Sequence, residues 1–395
     1  MKHLCWFLLL LSNFLLAQNQ DRNLDHLRNF YVCANLGLIN YNYGEEILPE
    51  NTYVESITAK NTFGGRFAFG FRLGENYRAQ FSVMRPAAWT SYNNVDHTEW
   101  NKTVWTNIWA ISALRDFRIS DKWDLFFEAG ISNVTRVGFS IDDREYVESL
   151  HYIYPIGGAG VAYHLSDKFD LTLNATYSPP KSSDNQPSTY LIAAGMNFYV
   201  PTLSEEKKQA VLESPYYFPK NQLLFGYSSD FMGFNINRQF SSGLQTSIPM
   251  FWLGDVYAEN GFWLSYQRTV FQTKKTFSLE LGTSFSYYNT RGGDDFWALS
   301  VYPNVKWWFL RTQPVDFYFN YSLIGPTYLS DATLDGIDTG EKATFQDFMG
   351  LGMIFGDERA YQLDFKIAHY SNGNIFTENP GVAIPLTIGF GYSFP

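Results

Sequence analysis

The chain has 395 residues, a net charge of −10, and 17% charged against 18% aromatic residues. The acidic balance argues against nucleic acid as a partner, because phosphate recognition needs a basic footprint. So few charges beside 35 Phe, 27 Tyr and 11 Trp also argue against a soluble domain, in which about a quarter of residues are charged. A membrane β-barrel needs this composition: its lipid face and interfacial girdles are aromatic-rich while its interior is polar. Alternation of the two faces averages the mean hydropathy to −0.22 and hides the membrane span.

The chain opens with Lys2, an apolar run from Leu4 to Leu16, and then Ala17 before polar Gln18 and Asn19. This is the layout of a secretory leader, with cleavage expected after Ala17. Its core is too short to cross a bilayer as a helix. Cys5 falls within the leader, so Cys33 is left without an intrachain disulfide partner. In FYVCANLGL, Cys33 reads as a small apolar strand residue.

Period-two alternation follows. Asn61–Leu73 sets Phe63, Phe67, Phe69, Phe71 and Leu73 opposite Gly64, Arg66 and Arg72. Phe169–Tyr177 sets Phe169, Leu171, Leu173, Ala175 and Tyr177 against Asp170, Thr172, Asn174 and Thr176. Strands of about ten residues fit tilted membrane strands, whereas the strands of a soluble sandwich are usually five or six long. The histidines of this half (His26, His97, His151, His164) are isolated in sequence and read as loop or girdle residues.

The stretch YPIGGAGVAYHLSDKFDLTLNATYSPP, with AGMNFYV closing the half, resembles the OmpA-like eight-stranded outer-membrane β-barrel domain. It has a Gly-rich strand, a tight Leu-Ser-Asp-Lys turn, an alternating strand and a final aromatic strand. The predicted divisions are a leader over 1–17, a first barrel over 28–200, a linker over 201–221 and a second barrel over 222–395. In the linker, Ser204 with Glu205 and Glu206 predicts a short capped helix, ended by Pro215. The fold class is therefore all-β: antiparallel transmembrane barrels, two of eight strands in tandem, with one sixteen-stranded barrel as the alternative.

In the second half, Thr276–Tyr287 (TFSLELGTSFSY) and Pro314–Leu323 (PVDFYFNYSL) place their aromatics and leucines at odd positions. The acidic loop Asp331–Asp338 reads as a solvated extracellular loop, with calcium binding as its alternative, and no His/Asp/Glu cluster has metal-ligand spacing. In Arg359–Tyr370 the odd face carries Tyr361, Leu363, Phe365 and Ile367, the even face Gln362, Asp364, Lys366 and Ala368. The odd face is expected to meet lipid, and His369 and Ser371 are its next members. Two positions apart on a strand, they share a side at about 6.5–7 Å between Cα atoms. Histidine is suited to take the proton of a serine hydroxyl near neutral pH, so the pair is a candidate for acyl transfer to or from a lipid ester. Gly373 offers a backbone N–H and Asn372 an amide to a developing oxyanion. The same residues also make an ordinary girdle and turn.

HYSNGNIFTENPGV resembles the signature of the PagL-like lipid A 3-O-deacylases, also called acyloxyacyl hydrolases: His-x-Ser-Asn, about seven residues, then Asn-x-Gly. ATFQDFMGLGMIFG, Ala343 to Gly356, resembles the strand before the motif in that family. The last strand, AIPLTIGFGYSFP, resembles the terminal assembly signal of outer-membrane barrels, with Pro395 as a departure. The resemblance implies an outer-membrane hydrolase of lipid A, working without metal or cofactor. Its partners would be lipopolysaccharide and the surrounding lipid. It implies Ser371 as nucleophile, His369 as base, and Asn372 and Gly373 as the oxyanion hole. The family's orienting acid falls at Ala383 here, which leaves Glu378 as the nearest acid in sequence. It also opens the alternative of a structural barrel with a degenerate site. A channel is expected only of the single large barrel.

Overall fold

The structure is a computed structural model and describes residues 29–200, 203–233 and 254–394. The expected leader and His26 lie outside the described residues. Eight strands build the first wall: β1 Phe30–Tyr41, β2 Asn61–Arg72, β3 Tyr77–Pro86, β4 Lys102–Ser120, β5 Trp123–Val137, β6 Leu150–Ser166, β7 Phe169–Ser178 and β8 Thr189–Tyr199. Each pairs antiparallel with the next, and β1 pairs with β8, Tyr31 opposite Tyr199. After helix α1 (Glu205–Leu212), capped by the Ser204 hydroxyl, a second wall follows. Its strands are β9 Asn221–Ser229, β10 Val256–Gln272, β11 Phe277–Thr290, β12 Asp295–Arg311, β13 Val315–Leu329, β14 Ala343–Phe355, β15 Tyr361–Ser371 and β16 Val382–Phe394. Here β9 pairs with β16, Phe225 opposite Phe390. Each set of eight closes on itself, which rules out the single sixteen-stranded barrel.

Parity sorts the side chains as the pleat requires. Phe63, Phe67, Phe225, Leu351 and Phe390 stand exposed on the outside. The inside is polar and filled. In the first barrel, Arg66 donates to both oxygens of Glu128, at 2.7 and 2.5 Å, and to Ser82 and Thr176. Gln80 also donates to Glu128 (3.2 Å). The cavity left among them is about 20 Å³, room for little more than one water. In the second barrel, Lys306 pairs with Glu280 at 2.9 Å and donates to Gln222 at 2.6 Å. The Tyr318 hydroxyl donates to Asp364. Filled interiors of this kind are what eight strands enclose.

Glu128→Ala would strand the Arg66 charge in this interior. Removing one partner of a buried pair costs about 3–5 kcal/mol. We expect the variant to lose its heat-resistant compact band on gels at a lower temperature than the parent.

The isolated reading of the histidines needs correcting. His164 bonds Asp170 (2.8 Å), because the β6–β7 turn brings residues six apart together, and its Nε2 lies 3.0 Å from Asp124 of β5. His97 stacks on Tyr53 at 3.9 Å, and His151 meets Phe376 of the second barrel edge-on at 5.3 Å.

In both barrels the tight turns 73–76, 121–122, 273–276 and 312–314 sit at the same end as the chain termini of the wall, and the long connections sit at the other, together with the short 291–294 turn. Outer-membrane barrels turn tightly on the periplasmic side, so the long-loop end faces outward. The 372–381 loop, between β15 and β16, belongs to that outer end.

Candidate active site

Strand β15 carries the site. Along it, Gln362, Asp364 and Lys366 are buried inward, while Tyr361 and Phe365 are exposed outward. Tyr370 also points inward, where its hydroxyl bonds Ser286 and Gln346. His369 and Ser371 therefore lie on the outer wall, on the lipid side. Ser371 ends the strand, opposite Phe345 of β14.

His369 stands between Asp347 of β14 and Ala383 of β16 in one cross-strand row. Its Nδ1 bonds Asp347 Oδ1 at 3.0 Å, and both side chains are largely buried. The carboxylate on the histidine is thus Asp347, not Glu378. What Glu378 gives the site is its main-chain carbonyl, which accepts from Asn372 Nδ2 at 2.6 Å. The reason is geometric: a residue directly opposite on a paired strand lies within about 4.5–5.5 Å between Cβ atoms, closer than a loop side chain is held. Sequence reading missed Asp347, although one signal was present. It has the parity of Phe345, Met349 and Leu351 and is the lone charge on that face of β14.

Nδ1 is the ring nitrogen that faces the acid, and Nε2 is the one turned away from Asp347. Among the described residues no hydrogen bond joins Ser371 Oγ to His369; in ligand-free sites such bonds are often long and tighten only with substrate.

The rest of the motif builds the turn. Asn372 O accepts from Ile375 N at 3.1 Å, with Gly373 at φ +63° and Asn374 at φ +58°. Two left-handed central residues define a type I′ turn, which Asn and Gly favour. Asn379 Oδ1 accepts the Asn372 N–H (2.8 Å), and its Nδ2 donates to Asn374 Oδ1 (2.8 Å). The Asn372 carboxamide donates to Glu378 O and to Thr339 O. Both its donors and its backbone N–H are occupied, so Asn372 braces the loop instead of facing a substrate. Among the described residues, no hydrogen bond uses the Gly373 N–H.

Gly373 tolerates little else. A Cβ there would lie 2.9 Å from Trp109 Cζ2, and the left-handed conformation itself costs a side chain roughly 1–2 kcal/mol. Gly373→Ala is expected to loosen the turn, read as faster protease cleavage within 372–378.

The clustered acids of the Asp331–Asp338 loop brace it, internally at Asp331 and against the β11–β12 turn at Asp335. Asp331 accepts from Thr333 N, and Asp335 from Gly292 N. Among the described residues, no three His, Cys, Asp or Glu side chains are grouped to hold a metal.

Two closed barrels with lipid-facing apolar walls and polar interiors define an outer-membrane β-barrel protein. Its halves match two family models: residues 7–198 match "Outer membrane protein beta-barrel domain", and residues 243–392 match "Lipid A 3-O-deacylase (PagL)". No curated protein matches the chain. Among solved structures, the outer membrane enzyme PagL aligns at 14% identity over 44% of this chain and 99% of its own, with a TM-score of 0.32. Neisserial surface protein A aligns at 16% identity over 43% and 97%, TM-score 0.30. The N-terminal barrel of Pseudomonas aeruginosa OprF aligns at 13% over 44% and 98%, TM-score 0.27.

Proposed function

We propose that the second barrel is a serine esterase that removes an ester-linked acyl chain from lipid A in the outer membrane. The observation that carries this reading is the row Asp347–His369 on the lipid-facing wall, one pleat from Ser371 in the deacylase-like motif. His369 Nε2 accepts the Ser371 proton as Oγ attacks the ester carbonyl. Asp347, accepting from Nδ1–H, orients the ring and stabilises the imidazolium that forms. The oxyanion of the tetrahedral intermediate accepts from the Gly373 N–H. As the intermediate collapses, the imidazolium returns the proton to the departing sugar alkoxide. Water, deprotonated by the same histidine, then cleaves the acyl-serine and frees a fatty acid. No metal or cofactor enters these steps. Asn372 is assigned to the loop and Glu378 to its carbonyl contact.

The ground for a degenerate structural barrel was Ala383 in the acid's place, and Asp347 answers that need from the opposite strand. The test is to express the full chain in cells displaying lipid A and weigh the extracted lipid by mass spectrometry. Loss of one acyl chain is expected; unchanged lipid A beside correctly inserted protein overturns the reading.

A further inference from the structure

The outer wall of the first barrel is mostly apolar, with Arg115 lying over Tyr77 and Phe117 toward its tight-turn end, and it carries a buried polar level near its loop end. There Asn107 and Trp109 of β4 lie opposite Thr135 and Asn133 of β5. They share the outward parity of Ile111 and Ile131, which are 62% and 58% exposed, yet Trp109 is 8% and Thr135 1% exposed. Hydrogen-bond donors on a lipid-facing wall are costly unless paired. For Trp109, Asn133 and Thr135 the acceptors come from the motif turn of the second barrel. Trp109 Nε1–H donates to Gly373 O at 3.2 Å. Asn133 Nδ2 donates to Ile375 O at 2.6 Å, and the Thr135 hydroxyl donates to the same carbonyl. The Trp109 ring also stacks on Phe345 at 6.0 Å, the residue paired with Ser371.

We propose that the first barrel is a positioning partner of the esterase site: its wall clamps the 372–376 turn from outside and fixes where the Gly373 N–H points. The inference rests on the esterase reading above. Inside the second barrel the turn is braced by Asn379 and Asn372. On the outer side, the carbonyls of Gly373 and Ile375 take their donors from the first barrel. A turn with a non-glycine residue, Asn374, in the left-handed region keeps one geometry only where its surroundings hold it there. Without the clamp the Gly373 N–H wanders from the oxyanion position, and misplacement by about 1 Å can reduce a rate on the order of a hundredfold.

The experiment uses the full-length protein in outer membranes, with heat-modified gel mobility as the check that both barrels are closed. Asn133→Leu with Thr135→Val removes the donors to Ile375 and nearly keeps volume. We expect kcat to fall roughly tenfold to a hundredfold with KM within about twofold, the signature of a group acting on the transition state. Backbone amides of 372–378 should exchange hydrogen faster. Thr135→Ser, which keeps the hydroxyl, should restore the Thr135 contribution. Trp109→Phe, which keeps a ring over Phe345, should show a smaller loss. Ser371-dependent deacylation that is equally fast in the double variant, with unchanged exchange, overturns the clamp and leaves the esterase standing. A parent protein without deacylase activity overturns the esterase, and the clamp's catalytic role with it.

Discussion

Ser371→Ala is expected to abolish the loss of an acyl chain from lipid A while leaving the protein folded and inserted. The hydroxyl lies at the end of β15 on the lipid side and none of the hydrogen bonds described above depends on it, so its removal should leave the barrel's stability nearly unchanged. Chemically the loss is complete in kind, because Ser371 is the group assigned to carry the acyl intermediate. In serine hydrolases that act as a unit, removing the nucleophile or the base costs about a millionfold in turnover, so His369→Ala should match it. Measured by lipid A mass, both variants should be indistinguishable from a strain lacking the protein. Residual activity in Ser371→Ala above about a thousandth of the parent's would point to water attacking directly, and would remove the covalent step from the mechanism.

The second large effect is expected at Asp347. Asp347→Asn keeps the volume and a hydrogen bond to Nδ1 but turns the carboxylate into an amide that also holds the wrong tautomer. In a serine triad this change lowers turnover by about ten-thousandfold, and here it should fall by at least roughly a hundredfold, or about 2.7 kcal/mol of barrier. Glu378→Gln should be close to neutral, because the contribution of Glu378 is its main-chain carbonyl. The register allows a sharper test. Ala383 flanks His369 on β16 as Asp347 does on β14. Asp347→Ala combined with Ala383→Glu should recover part of the lost rate by approaching the imidazole from the other side, with the ring turned to meet it. If Asp347→Asn is as active as the parent, the orienting role passes elsewhere and the row loses its catalytic meaning.

Much of this architecture was legible in the chain because the pleat writes its period directly into the sequence. The odd-numbered aromatics of Asn61–Leu73 and Thr276–Tyr287 do face outward, and Arg66 and Glu280 do face in. The lipid-side placement of His369 and Ser371 followed from the same parity. Asp347 was not legible, since it stands 22 residues upstream of His369 and only the β14–β15 register brings the two together. Motif spacing pointed to Ala383 and then to Glu378, but spacing along a chain carries no information about the neighbour on the far side of a strand. The oxyanion expectation for Asn372 failed for a related reason. A carboxamide beside a tight turn finds backbone carbonyls first, and here it finds those of Glu378 and Thr339. The meeting of the barrels was hidden too. Asn107, Asn133 and Thr135 look like scattered polar residues until their shared level on β4 and β5 is seen.

The outward aim of the His369 pair has a kinetic consequence. Among the described residues both interiors are filled by side chains, so a lipid substrate of the proposed esterase would reach this site by diffusing sideways within the leaflet. Encounter is then two-dimensional: its frequency follows the mole fraction of substrate among its neighbouring lipids, not its amount per litre. Diluting the suspension should leave turnover per protein unchanged, whereas diluting the bilayer with inert phospholipid should slow it in proportion.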